Sequence, residues 1–139
     1  MKETILLFHF ADKEKRNKLT RALLPLRMKI REIERKDYLQ SIGYLAGNKE
    51  IVPKEEVYEG EELEGEMLLM AGLSNFQVDK VLKAIHKARI GTIPYKAVLT
   101  SSNQEWNVLK LFKEIKAEHE QMSKEEINLW ENSKKKWKE

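Results

Sequence analysis

Apolar residues in this chain alternate between short unbroken runs and stripes spaced at three and four, and the alternation occurs twice. Ile5 to Phe10 is the first run, and its lack of polar interruption predicts a central strand covered on both faces. Leu19, Ala22, Leu23 and Leu26 then fall at i, i+3, i+4 and i+7 behind Asp12, which predicts a helix with an aspartate N-cap. Pro25 marks the end of that helix, because the residue before a proline is driven out of helical geometry. Met28, Ile30 and Glu32 continue in alternation until Ile33 breaks the phase, which predicts a bulge or an early stop. A short helix through Tyr38, Ile42 and Leu45 follows, opened by Asp37 and stopped by Gly47.

The order then repeats. Met67 to Leu73 is again apolar, Ser74 with Gln77 forms a capping box, and Val78, Val81, Leu82 and Ile85 make the stripe of a helix closed by Gly91 and Pro94. Tyr95 to Thr100 is the fourth predicted strand. Ser102 with Glu105 predicts a capping box for a helix carrying Val108, Leu111, Phe112 and Ile115, and Ser123 with Glu126 begins a last one. Sliding the first half by 62 residues superposes Ile5 to Leu7 on Met67 to Leu69 and Asp12 on Ser74. Neither half is large enough to hide its own core, so the two are expected to share one sheet. The expected fold is α+β, a ferredoxin-like two-layer βαβ repeat with extra helices; the alternative is an α/β parallel sheet covered on both faces.

Composition narrows the class. At 139 residues with 41% hydrophobic content, the chain suits one domain over residues 1–122, with an amphipathic tail over 123–139. No apolar run reaches the roughly 18 residues of a membrane span, and the N-terminus lacks a signal-peptide pattern, so a cytoplasmic protein is expected. The absence of cysteine removes disulfides and thiolate chemistry. Charge is uneven: residues 1–47 hold 11 Lys and Arg against 6 Asp and Glu, whereas 48–66 hold 2 against 8. The stretch 48–66 reads as an acidic loop, with at most a short edge strand near Ile51 or Val57. Self-repulsion would keep it extended, or it folds back over a basic face and competes with an anionic partner.

Three stretches, DYLQSIGYLAG at 37–47, MLLMAGLSNFQVDKVLKAI at 67–85 and IPYKAVLTSSNQEW at 93–106, resemble the bacterial uncharacterised family catalogued as domain of unknown function 3783. With the strand at 5–10, the likeness extends over most of the chain up to Met122, and the tail beyond departs from it. The resemblance implies a small bacterial cytoplasmic protein and no particular substrate.

Candidate chemistry is sparse. Gly72, Ser74 and Asn75 leave the third strand while Thr100, Ser101, Ser102 and Asn103 leave the fourth, and parallel strands would bring both segments to one polar rim. Two helix N-termini there would suit a small anion, with Trp106 as an apolar wall. The same serines are also explained as caps. Gly43 and Gly47 around Tyr44 predict close packing against another element or a second subunit, and their spacing matches no phosphate-binding glycine motif. Trp130 and Trp137 with the terminal lysines offer docking or dimer contact. His9, His86 and His119 sit on separate elements without chelating spacing, so no metal and no cofactor are expected. The reading is a non-enzymatic interaction or small-ligand regulatory module, expected to pair as a homodimer. The alternative is nucleic-acid binding through the basic first half and the Lys/Trp tail.

Overall fold

The computed structural model describes residues 2–121. Its elements run β1 (Thr4–Phe8), α1 (Lys13–Leu23), β2 (Lys29–Ile33), α2 (Ile42–Leu45), β3 (Met67–Ala71), α3 (Asn75–Ala88), β4 (Tyr95–Val98) and a helix α4 over 108–121. The class is α+β, and the two halves share one four-stranded sheet in the order β2-β1-β3-β4. Within each half the strands are adjacent and parallel; the halves meet along β1 and β3, which are antiparallel. A ferredoxin-like sheet is antiparallel throughout, so the chain keeps that α+β class but joins its halves differently.

Strand polarity explains the packing. Ile5, Leu7, Leu68 and Met70 point to one face, where Leu19 and Leu23 of α1 and Val81 and Ile85 of α3 cover them. Leu6, Phe8, Met67 and Leu69 point to the other, under Tyr38, Ile42 and Leu45 together with Val108, Leu111 and Phe112 of α4. A strand apolar at every position can persist only where both faces are dry, which is the arrangement found. Ile33 causes no bulge: the β1–β2 register is regular through Phe8↔Ile33, and Ile33 packs on the α4 face while Ile30 packs on the other.

Local signals mostly held. Asp12 caps α1, accepting from the Glu14 and Lys15 N–H groups at 3.0 and 3.2 Å. The Ser74–Gln77 box is complete in both directions. Pro25 stands in a 3₁₀ turn, Leu24–Leu26, that follows α1. Asp37 lies in another such turn, Arg35–Asp37, and α2 itself begins at Ile42. The expected Ser102–Glu105 cap is not made: α4 begins at 108, and Asn107 caps it by accepting from Lys110 N–H at 2.8 Å.

The connection 48–66 has no regular strand, but it is not an extended acidic loop either. Leu63 is buried in the α4-side core, and Gln40 exchanges two hydrogen bonds with the Lys54 backbone at 2.6 and 2.8 Å. Three of its carboxylates meet cationic or imidazole partners: Glu62 faces His9, Glu66 faces Lys15 at 2.6 Å, and Glu64 pairs with Lys116. Apolar anchoring and these pairs overcome the mutual repulsion of the glutamates, whose exposed members Glu55, Glu56, Glu59 and Glu61 remain in water. The tail residues Trp130 and Trp137 lie outside the described residues.

Candidate functional site

Because β1 and β3 run in opposite directions, the carboxyl ends of the two parallel pairs lie at opposite ends of the sheet. Each end carries its own opening.

At the carboxyl end of β3 and β4, the segments expected to form a rim do leave the sheet together, tied by Leu99 N–H donating to the Met70 carbonyl at 2.9 Å. Thr100, Ser102, Asn103 and Trp106 line a groove of about 510 Å³ that runs beside the edge strand β4. Its walls are Val78 and Leu82 of α3 and Leu111 and Ile115 of α4, and Val98 in its floor is 40% exposed. Gly72, Ser74 and Asn75 are exposed at the same end of the sheet without lining the groove.

Hydrogen bonding sorts these residues. Asn103 is wholly engaged: its Oδ1 accepts from Thr100 N–H at 2.8 Å, its Nδ2 donates to the Val98 carbonyl at 3.0 Å, and its own N–H donates to Thr100 Oγ1 at 3.2 Å. It knots the turn after β4 and covers one outward carbonyl of the open edge. Ser74 Oγ accepts from Gln77 N–H at 3.2 Å, so that hydroxyl serves the cap. Ser101 and Ser102 are exposed, and Trp106 is half-buried with Lys110 Nζ 4.8 Å from its ring centre. Only one of the two expected helix N-termini, that of α3, opens at this end. The first turn of α4 is instead drawn into the chain, with Val108 N–H donating to the Tyr38 carbonyl at 3.1 Å.

Gly43 explains the neighbouring contact. The Ile42 and Gly43 N–H groups, which a four-residue helix cannot satisfy internally, donate to the Trp106 and Gln104 carbonyls, each at 2.8 Å. A Cβ on Gly43 would lie 2.8 Å from the Gln104 oxygen and 2.7 Å from Ile51 Cδ1. The close approach is therefore made within the chain. Tyr44 is half-buried against the same core, and Gly47 ends α2 on the surface.

At the carboxyl end of β1 and β2 lies a cleft that sequence reasoning missed, about 310 Å³ in volume, lined by His9, Arg16, Glu32, Glu34, Arg35 and Glu62 over Leu7, Phe10 and Ile33. His9 is not inside the strand, as its apolar neighbours suggested. It is the first residue beyond β1, at φ +62°, with its side chain 31% exposed and Nδ1 3.3 Å from Glu62 Oε1. The other oxygen of Glu62 accepts from the Tyr38 hydroxyl at 2.5 Å and from Leu63 N–H at 3.0 Å. Burial, reinforced by the bond to Glu62, raises the Tyr38 hydroxyl pKa well above its ordinary value, so the phenol stays a donor. The available signal was a histidine at the place where the other half has Gly72; aligning the halves by strand ends instead of caps would have exposed it.

Two basic groups of α1 are matched. Lys15 donates to Glu66 and to the Thr92 carbonyl, and Arg16 faces Glu32 at 3.0 Å and donates to the Phe10 carbonyl. Among the described residues no cluster of His, Asp or Glu could hold a metal ion, and no helix is long and apolar enough to cross a membrane.

Residues 66–122 match the family model described as domain of unknown function (DUF3783). The match takes in β3, α3, β4 and α4 and stops short of the stretches at 5–10 and 37–47. Neither a curated protein nor a solved structure matches the chain. Over its second βαβα unit, with the groove beside β4, the chain is thus similar to the family described as domain of unknown function (DUF3783).

Proposed function

We propose that the chain is a non-enzymatic small-ligand regulatory module, whose ligand has an apolar body lying in the groove beside β4 and a hydrogen-bonding end at Thr100, Ser101 and Ser102. The observation that carries this reading is the groove's composition. Val78, Leu82, Val98, Trp106 and Ile115 present apolar surface from both sides of an open sheet edge, while hydroxyls gather at one end. Ligand sites combine an apolar lining with a few polar groups in this way. Lys96, Glu114 and Glu118 also line the groove, so its charged groups are of both signs. No histidine lines the groove among the described residues, so Ser102 has no imidazole base beside it, which supports binding over acyl or phosphoryl transfer.

An amide ¹H–¹⁵N titration with indole, phenol and medium-chain alcohols tests it. The expected result is saturable shifts at Val98, Thr100, Ser102 and the Trp106 indole that vanish in Trp106→Ala. A panel that leaves those resonances still sinks the reading. Sedimentation over a concentration series examines the homodimer: a mass of twice 16.4 kDa, with the same resonances broadened, would put a second copy of the chain in the groove instead.

A further inference from the structure

The apolar stripes of α1 and α3 are used against the sheet, where Leu19, Leu23, Val81 and Ile85 are buried. What the two helices turn outward is a different surface. Phe76, Lys80, Lys83 and Lys87 fall at i, i+4, i+7 and i+11 on α3, all exposed and opposite the buried stripe. Between the helices runs an open furrow of about 590 Å³, with Ala22, Ala84 and Ala88 as its small apolar lining and Lys18, Arg21 and Lys87 as its charged one. No carboxylate lines it. Val78 and Leu82 of α3 line the groove beside β4 instead, so the two surfaces are separate.

The charges of both signs can be counted. On α1 and α3 the exposed cations are Lys13, Lys18, Arg21, Lys80, Lys83 and Lys87, against the exposed acids Glu14 and Asp79. Glu14 pairs with Lys18 at 3.3 Å, and Asp79 sits on the flank of α3 away from Ala84 and Ala88. The neighbouring acids are engaged: Glu66 by Lys15, Glu3 by Gln77 and Asp12 by the α1 N-terminus. Among the described residues, Arg21, Lys80, Lys83 and Lys87 have no carboxylate partner within ion-pair distance. The row also ends in an aromatic ring: Phe76 is 68% exposed, with Lys80 Nζ 4.6 Å from its centre on one face. From this we infer that the α1–α3 face binds single-stranded nucleic acid, with the phosphate backbone along the furrow between Arg21 and Lys87 and an unpaired base stacked on Phe76. A basic track joined to an exposed ring is how sequence-tolerant single-strand sites are built. An anionic membrane would instead need the apolar face of an amphipathic helix, and here those faces are buried on the sheet.

The test is fluorescence anisotropy of the full chain with labelled oligo(dT) and oligo(rU) at low ionic strength. Saturable binding of at least one is expected, and the tighter of the two identifies the sugar. Its log–log salt dependence should have a slope of about −2 or steeper, the value for three phosphates at about −0.7 each. Lys83→Gln with Lys87→Gln should weaken binding about tenfold or more, whereas Lys49→Gln with Lys113→Gln, an equal loss of charge at exposed positions off this face, should leave it within about twofold. Phe76→Ala should cost about fivefold or more, as loss of one stacked base implies. Absence of binding to both oligonucleotides overturns the inference, as does equal weakening by the two lysine pairs, which would place the contact elsewhere on the chain. Binding only to phosphatidylserine vesicles overturns it in favour of a lipid surface.

Discussion

The Tyr38 hydroxyl donates to Glu62 at 2.5 Å and so joins a fully buried ring of the first half to the acidic segment between the halves. Tyr38→Phe should destabilise the fold by about 1–2 kcal/mol, the usual range for a buried hydrogen bond whose acceptor keeps other partners. The pH profile gives a sharper reading. The folded-state pKa of Tyr38 is raised, first by burial and then by Glu62, so its contribution is complete below the free tyrosine value of about 10 and is lost as pH rises through and above it. Urea midpoints measured from neutral pH into the alkaline range should therefore fall more steeply in the wild type than in Tyr38→Phe; equal slopes would refute the assignment.

Gly43→Ala sets two effects against each other. Alanine favours a helix over glycine by about 1 kcal/mol, but the new methyl would meet the Gln104 carbonyl, which is backbone and already bonded to Gly43 N–H. Overpacking of this kind costs about 1–3 kcal/mol, so a net loss is expected in chemical denaturation. A variant more stable than the wild type would show that the α2 contact is looser than described.

The turn after β4 separates its polar residues. Asn103→Ala leaves the Val98 carbonyl and Thr100 N–H without their partner and should cost about 1–3 kcal/mol. Asn107→Ala removes the α4 cap at about 1 kcal/mol. Ser102→Ala, at an exposed position with no capping role, should stay within about 0.5 kcal/mol of the wild type. Thermal midpoints in that order check the reassigned cap; a large loss at Ser102 would restore the motif read from sequence.

At His9 two substitutions isolate the backbone. Alanine and glycine both delete the imidazole, but only alanine keeps a Cβ at φ +62°. His9→Gly should be the more stable of the pair by about 1 kcal/mol, the scale of left-handed strain less the greater freedom of unfolded glycine. The reverse order in denaturant would show that the residue is not left-handed in solution.

What could be read in advance followed locality. Asp12 capped α1 and Ser74 boxed with Gln77 because each needs only the next three residues. Ser102 and Glu105 spelled the same motif, yet Asn103 turned its side chain back onto Thr100 and Val98, and the carbonyls of 104 and 106 went to α2. The α2 partners of those carbonyls lie some 60 residues away, where no window on the sequence reaches, although Thr100 and Val98 are near neighbours of Asn103. The strand order was similarly hidden, although one clue was present: unbroken apolar runs in β1 and β3 require cover on both faces. Charge alone misjudged 48–66, since it cannot register that Leu63 is buried or that Glu62, Glu64 and Glu66 each meet a partner.

The antiparallel seam between β1 and β3 has a consequence for how the molecule is held together. Five residue pairs, Thr4↔Ala71 through Phe8↔Met67, knit the two units along the middle of the sheet, and every one of those residues is buried. Severing the peptide near Gly60 should leave both fragments bound as a noncovalent pair, whereas either fragment made alone would bare a fully apolar ribbon and seek another copy of itself.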